Sequence, residues 1–359
     1  MRELVVGFYG FGKSAQRYHL PYLNIREGIR VKTIVLPSLK KRAEEMKAYP
    51  DVIFTEDESV MLEDPEIDMI VVATPSDTHF CMATRALHSG KHVLVDKPFC
   101  SSFEEAWTLL ELAREKGLIA MPFQNRRFDS DILTAKSVIE SGRLGEIVEI
   151  ESHFDYYRPH EEYRPDANYI DGYIFGLGIH TVDQMTMLFG IPDSVIYERR
   201  SLRDERNPED YYELTLYYGR TKAVVKTSHL VGIPYPRLTI HGTKGSFVKQ
   251  EIDRQERFLK EYIMPGTDGF GEDSLEDFGI LRTYAGEKSS DERFPTVAGD
   301  YGRVYDRMRE TILHGAKPYL TRQEILTDIL ILEKAFSEEA PFVIKDFRKL
   351  PEMEGILQT

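Results

Sequence analysis

Lys97 is the residue around which chemistry can be built. It closes the run His92-Val93-Leu94-Val95-Asp96-Lys97-Pro98, an apolar strand that stops at a lysine set between a carboxylate and a proline. The proline biases Lys97 toward extended backbone and so toward a strand's carboxyl end, the edge of an open parallel sheet where ligands bind. A lysine there donates to a substrate oxygen or changes its basicity when desolvated. Taken alone, it reads better as a solvated lysine opening a loop; it does not stand alone. A second candidate lies in Gly176-Leu177-Gly178-Ile179-His180-Thr181-Val182-Asp183-Gln184-Met185, which passes from a glycine-rich loop into a helix. His180 and Asp183 are three apart and share a helix face, where a carboxylate orients an imidazole or raises its basicity. A histidine beside such a turn also serves as a satisfied structural group.

Phosphate chemistry is written nearer the start. Leu4-Val5-Val6-Gly7-Phe8-Tyr9 is a buried-strand pattern, followed by Gly10-Phe11-Gly12-Lys13-Ser14-Ala15 and a helical stretch through Leu20. This is G-x-G-x-x-A in a strand-turn-helix setting, the dinucleotide fingerprint. Gly10 permits the tight turn, Gly12 the approach of a pyrophosphate, and Ala15 close helix packing, with the anion on the helix N-terminus. The same residues, Gly7 through Ser14, also satisfy G-x-x-x-x-G-K-[ST], the triphosphatase phosphate loop, with Val93 to Asp96 as its magnesium strand. That alternative shortens the first strand to three residues and puts Phe8 and Tyr9 in the phosphate-wrapping loop, so the dinucleotide reading is preferred.

The second strand, Arg30 to Leu36, sharpens the choice of cofactor. An NAD site usually has Asp or Glu at this strand's end, whereas this chain has Leu36-Pro37-Ser38-Leu39-Lys40-Lys41-Arg42 and no carboxylate before Glu44. Ser38, Lys40 and Lys41, with Arg42, favour a 2′-phosphate and hence NADP(H), NAD(H) remaining possible; a solvated basic helix start is the bland reading. Asp68 to Ala73 is another buried strand, and Thr74-Pro75-Ser76-Asp77-Thr78-His79 turns beside the expected pyrophosphate and ribose. His79 reads either as part of that site or as a ligand-free residue at a helix start.

The elements that must position these groups follow from periodicity. Phe103 to Lys116 has a helical apolar face closed by Gly117, and Ile119 to Phe123 a final strand, giving a doubly wound parallel α/β sheet over 1–123. From Glu146 the pattern alternates. Strands are expected at Ile147–Phe154, Tyr211–Tyr218, Lys222–Ser228, Arg237–His241 and Ser246–Lys249, with hairpin turns at Gly219-Arg220 and Gly242-Thr243-Lys244-Gly245. An α+β domain over 124–359 results, an open, mainly antiparallel sheet with helices on one face, whose other face would suit a homodimer or homotetramer. Pro265 to Gly299 reads as long surface loops, and Thr321 starts a helix packed through Ile325, Ile329, Leu332 and Phe336.

Composition narrows the function class. A chain of 359 residues suits two domains, and a net charge of −14 argues against nucleic acid. Cys81 and Cys100 are the only cysteines and lack metal-type spacing, which suits a reducing compartment; with no apolar leader or membrane-length run, a cytoplasmic protein is expected.

Together these segments resemble the Gfo/Idh/MocA oxidoreductases, the family of glucose-fructose oxidoreductase and inositol dehydrogenase, nearest the branch of NADP-dependent scyllo-inositol dehydrogenase. The resemblance spans nearly the whole chain. It rests on Gly10-Phe11-Gly12-Lys13-Ser14, Ala73-Thr74-Pro75 with His79, Asp96-Lys97-Pro98, Asn125-Arg126-Arg127-Phe128 and the His180-Asp183-Gln184 helix. His241 to Gly245, Asp253 with Gln255-Glu256, and Gly299-Asp300-Tyr301 with Tyr305 extend it. It implies a Rossmann domain, then an open α+β domain, and hydride transfer between nicotinamide C4 and a secondary alcohol or carbonyl of a sugar or cyclitol. Lys97 would hold the reacting oxygen and His180 exchange its proton. The loop Gly10 to Ser14, Ser38, Lys40, Lys41, Thr74, Pro75, His79 and Asp96 would hold the cofactor, and Arg127, Tyr157, Tyr173 and Asp183 the substrate. Two departures stand out: Asp96 replaces a common Glu, and Gly176 stands where many members carry Asp, a loss for which either Asp183 would compensate or the substrate would differ from inositol. A non-catalytic nicotinamide-binding sensor and a glycosidase-like enzyme with retained cofactor are the competing functions.

Overall fold

The computed structural model describes residues 2–163 and 167–358. The chain forms two compact units. The first takes Met1–Asn125 together with Phe258–Phe270 and Tyr301–Thr321; the second takes Arg126–Arg257, Gly271–Asp300 and Arg322–Thr359.

The first unit is built on a parallel sheet of β1 (Leu4–Tyr9), β2 (Ile29–Val35), β3 (Ile53–Thr55), β4 (Met69–Val72), β5 (His92–Val95) and β6 (Ala120–Pro122), in the order β3-β2-β1-β4-β5-β6. Every residue of β1 and β4 is buried, because helices cover both faces of such a sheet. Burying a Val, Leu or Ile side chain here stabilises the fold by about 1.5–3 kcal/mol. The strand order reverses between β1 and β4, and the loops after those two strands define the crevice where doubly wound sheets bind nucleotides. β1 runs through Phe8 and Tyr9, so these residues sit in the sheet rather than in a phosphate-wrapping loop. The expected helix after the turn is present in an altered form: Ala15–His19 winds as a π-helix, continuing as the α-helical turn Leu20–Leu23. The wider turn directs His19 into the interior, where it is fully buried. The late segments complete this unit through a cluster of Tyr22, Leu259 and Tyr301, edged by Tyr18 and Phe270.

The second unit holds a nine-stranded sheet. Its strands are β7 (Ile147–His153), β8 (Ser194–Arg200), β9 (Tyr211–Tyr218), β10 (Thr221–Ser228), β11 (Leu238–Gly242), β12 (Gly245–Lys249), β13 (Gly279–Ala285), β14 (Lys288–Phe294) and β15 (Phe342–Ile344). They lie in the order β14-β13-β12-β11-β7-β10-β9-β8-β15. All neighbours are antiparallel except β7 and β10, which makes the sheet mixed but mostly antiparallel. One cross-strand row runs through Val343, Ile196, Thr215, Val224, Glu151, Thr239, Val248 and Ile280. Val343, Ile196 and Ile280 in that row are exposed.

The expected loop region Pro265 to Gly299 needs correction. It contains the hairpin β13–β14, turned at Gly286 with φ 64°. β14 reads Lys-Ser-Ser-Asp-Glu-Arg-Phe and is exposed along nearly its whole length, so no apolar alternation marks it as a strand. The helix expected from Thr321 runs Arg322–Lys334 with Ile325, Ile329 and Leu332 buried. Among the described residues, no helix is long and apolar enough to cross a membrane.

Candidate active site

The first unit shapes a cavity of 720 Å³ at its strand-order reversal, walled by Gly10, Phe11, Gly12, Ser38, Lys41, Arg42, Thr74 and Pro75 among others. Gly10 has φ 94°, and a side chain there would place Cβ 2.4 Å from the Ala73 carbonyl oxygen. The two loops approach too closely for anything but glycine. At Gly12 a Cβ would meet nothing within 4 Å, so the backbone presents an open side at the start of the helix. This is the cradle a pyrophosphate requires, and the residues present fit a dinucleotide.

The far wall carries Ser38, Lys41 and Arg42 together with Glu56, Asp57 and Glu58. The three carboxylates are engaged within the protein. Glu56 accepts the Leu39 N–H at 2.9 Å, Asp57 accepts the Ser59 N–H at 2.9 Å, and Glu58 accepts the Tyr9 hydroxyl at 2.8 Å while pairing with Arg85 at 3.1 Å. Arg42 holds Glu45 at 3.0 Å. Lys41 belongs to this wall, whereas Lys40 and Lys13 are exposed and do not line the cavity.

Beyond the cavity the site residues gather on the turn after β5. The Lys97–Pro98 peptide is cis. Asp96 is largely buried; its Oδ1 accepts the Lys97 N–H at 2.8 Å and its Oδ2 accepts the Ser14 hydroxyl. Burial pushes its pKa up, but the nearby His19 ring, the Ser14 hydroxyl and His79 outweigh that, and the carboxyl stays well below the usual range. His79 is buried between two turns, Nδ1 lying 2.7 Å from the Pro98 carbonyl and Nε2 2.9 Å from that of Thr74. It therefore ties the Thr74-Pro75 turn to the lysine turn.

In the second unit, His180 lies in the helix Ile179–Phe189, 4 % exposed, directly after a second π-helix at Ile174–Gly178. The helix is pinned at two points. Asp183 accepts from Arg127 Nε at 2.9 and 3.0 Å, and Arg127 also reaches Glu324 at 3.0 Å. Gln184 donates to the Arg126 carbonyl at 3.0 Å and accepts from Arg237 at 2.8 Å. Arg127 and Asp183, expected as substrate contacts, are buried and closed on each other. Burial raises the pKa of Asp183 against the pull of Arg127; Asp328, buried beside it, is raised by burial and by the Asp183 charge. Glu324 and Asp328 escaped the sequence reading, although an acid inside Glu324-Ile325-Leu326-Thr327-Asp328-Ile329-Leu330-Ile331-Leu332 was a visible signal. His19 was missed as well, since nothing local marks it.

Tyr173 donates to Glu161 at 2.6 Å and its ring lies on His229, with centroids 3.6 Å apart. Tyr157 stands 65 % exposed and bridges to Leu230. At Gly176 the nearest atom to an added Cβ is Tyr173 Cδ1 at 3.8 Å, an ordinary van der Waals contact.

Comparison with known proteins fits this architecture. Residues 4–124 match the model of the oxidoreductase family NAD-binding Rossmann fold, and residues 136–340 that of the oxidoreductase family C-terminal alpha/beta domain. The uncharacterized oxidoreductase YhhX of Escherichia coli is 49 % identical over 340 residues, covering 94 % of this chain and 97 % of that protein. The scyllo-inositol 2-dehydrogenase (NADP(+)) IolW of Bacillus subtilis is 34 % identical over 333 residues, 92 % of each. A crystal structure of an oxidoreductase from Bacillus cereus, 44 % identical, superimposes with a TM-score of 0.91 over 95 % of this chain and 98 % of that one. With both family domains matched in order and a nucleotide crevice at the strand reversal, the chain belongs to the Gfo/Idh/MocA family of NAD(P)-binding oxidoreductases.

Proposed function

We propose that the protein is an NADP(H)-dependent dehydrogenase or reductase acting on a secondary alcohol or carbonyl of a sugar or cyclitol. The observation that carries the cofactor choice is the cavity wall: Ser38, Lys41 and Arg42 stand where an NAD site usually has a carboxylate, and the wall's own acids are spoken for by Leu39, Ser59, Tyr9 and Arg85. The printed name of IolW supports both the cofactor and a cyclitol substrate. The bound nicotinamide would supply the hydride chemistry.

The chain's own residues then bind and move protons. Gly10 and Gly12 admit the pyrophosphate. Lys97 donates to the reacting oxygen and stabilises charge on it, while His180 takes or returns the hydroxyl proton near neutral pH. Ser38, Lys41 and Arg42 hold the 2′-phosphate by charge-assisted hydrogen bonds. Tyr157 and Tyr173 are the remaining substrate contacts we propose, and the sheet face that exposes Val343, Ile196 and Ile280 the face for a second copy.

The test is nicotinamide absorbance during incubation with NADP⁺ and a panel of inositols and aldoses, with Lys97→Ala alongside. Turnover abolished by the substitution supports the reading. Tight NADPH binding with no turnover on any panel member would instead favour a sensor.

A further inference from the structure

We propose that His19 is a positioning residue: gripped by Tyr305, it holds the Asp96 carboxylate that fixes the lysine turn to the phosphate-binding loop. This rests on the reading of Lys97 as the group that binds the reacting oxygen. His19 is fully buried in the first unit. Its Nδ1 lies 2.6 Å from the Tyr305 hydroxyl and its Nε2 3.7 Å from Asp96 Oδ2. The ring is clamped sterically as well, with its centroid 4.0 Å from that of Phe123 and 5.9 Å from that of Phe8 at 84°.

With Nδ1 engaged by Tyr305, Nε2 is the buried nitrogen left facing Asp96, beyond hydrogen-bond length and within the range of a charge contact. Asp96 is then the junction. Its Oδ2 receives the Ser14 hydroxyl and faces His19 Nε2 at 3.7 Å, while its Oδ1 receives the backbone N–H of Lys97. Ser14 belongs to the glycine-rich turn, so one carboxylate joins the loop that cradles phosphate to the residue that meets substrate. Ionisation of the carboxylate strengthens both of its hydrogen bonds and its contact with the ring. The carboxyl's depressed pKa agrees with this geometry. Without the imidazole, Asp96 has lost the buried polar group that faces its Oδ2, and its side chain gains freedom to release the Lys97 amide.

The arrangement also explains two sequence oddities. The π-helix at Ala15–His19 is what turns His19 inward, and Tyr305 enters the first unit from a segment near the chain's end.

The test is amide hydrogen exchange of the full-length protein, read at Lys97, in His19→Leu, His19→Gln and Tyr305→Phe. Leu keeps much of the buried volume but removes the polar ring, Gln restores a polar group, and Phe removes only the hydroxyl. Protection at Lys97 should fall about tenfold in His19→Leu, as the carboxylate that holds its amide loses the group facing it. His19→Gln should recover most of it, and Tyr305→Phe should give an intermediate loss with the packing intact. Where turnover can be followed, kcat should drop as protection at Lys97 falls, while NADPH affinity changes less. Unchanged protection at Lys97 in both His19→Leu and Tyr305→Phe would overturn the proposal and make His19 a core residue only. Because exchange needs no substrate, this outcome is separate from failure of the dehydrogenase reading, which Lys97→Ala tests.

Discussion

Replacing Arg127 by Met gives the most quantitative check of the second unit's polar core. Arg127 is 4 % exposed, and it faces Asp183 and Glu324 at 3.0 Å or less, with Asp328 buried alongside. Met keeps much of the volume and removes the only cation seen to pair with Asp183 among the described contacts. Stranding a buried carboxylate should cost about 3–5 kcal/mol at pH 7.5. The loss should depend on pH with a definite sign. Without the guanidinium, burial raises the folded-state pKa of Asp183 further above its unfolded value, so the folded state binds an extra proton. Stability gained this way is fully present below the unfolded carboxylate range and is lost as pH rises toward the folded pKa. Relative to the parent, the variant should recover up to about 1.4 kcal/mol per pH unit for that one proton, so about 2.7 kcal/mol between pH 7.5 and 5.5. Urea unfolding at the two pH values measures it. A loss under about 1 kcal/mol, as for exposed pairs, or a pH dependence parallel to the parent's, would refute the assignment of this pair as a buried structural link.

Other expectations follow from the same geometry. Lys97→Ala should lower turnover about 10²–10⁴-fold in the absorbance assay while leaving the melting temperature within a few degrees, since it removes a proton-handling group rather than core volume. Arg42→Glu should weaken NADPH by about tenfold or more and NADH far less, measured by fluorescence titration; equal losses would point to a general loop defect. Glu209 is 4 % exposed and burial pushes its pKa up to about 7. Its contribution is therefore present below the unfolded value and falls as pH rises to 7, by about 3 kcal/mol, and Glu209→Gln should flatten this part of the stability profile in denaturant titrations. Gly176→Asp should fold, because Cβ has 3.8 Å of clearance, and circular dichroism melting within a few degrees of the parent would confirm it.

What the sequence made legible was local. Gly10, Gly12 and Ala15 announce a nucleotide turn because turn chemistry and helix packing act over a few residues. Asp96-Lys97-Pro98 likewise marks a strand's end by composition alone. The pairings were hidden. Arg127 and Asp183 are 56 positions apart, and their types suggested ligand contacts when the fold closes them on each other. His19 meets Tyr305 across 286 positions, through a π-turn that no periodicity forecasts. β14 was invisible for the opposite reason: an exposed edge hairpin has no apolar face to pattern, and main-chain bonding to β13 builds it.

The chain crosses between the two units five times, at 125/126, 257/258, 270/271, 300/301 and 321/322. On the ribosome, the N-terminal sheet therefore emerges long before its own unit is complete. His19 waits for Tyr305, Tyr22 for Leu259 and Tyr301, and the Pro122 carbonyl for the Tyr319 hydroxyl. A nascent chain released before about residue 321 would have the nucleotide turn written in it but not the segments that brace it. The bracing of the nucleotide turn thus arrives late in synthesis, after most of the second unit has already been made.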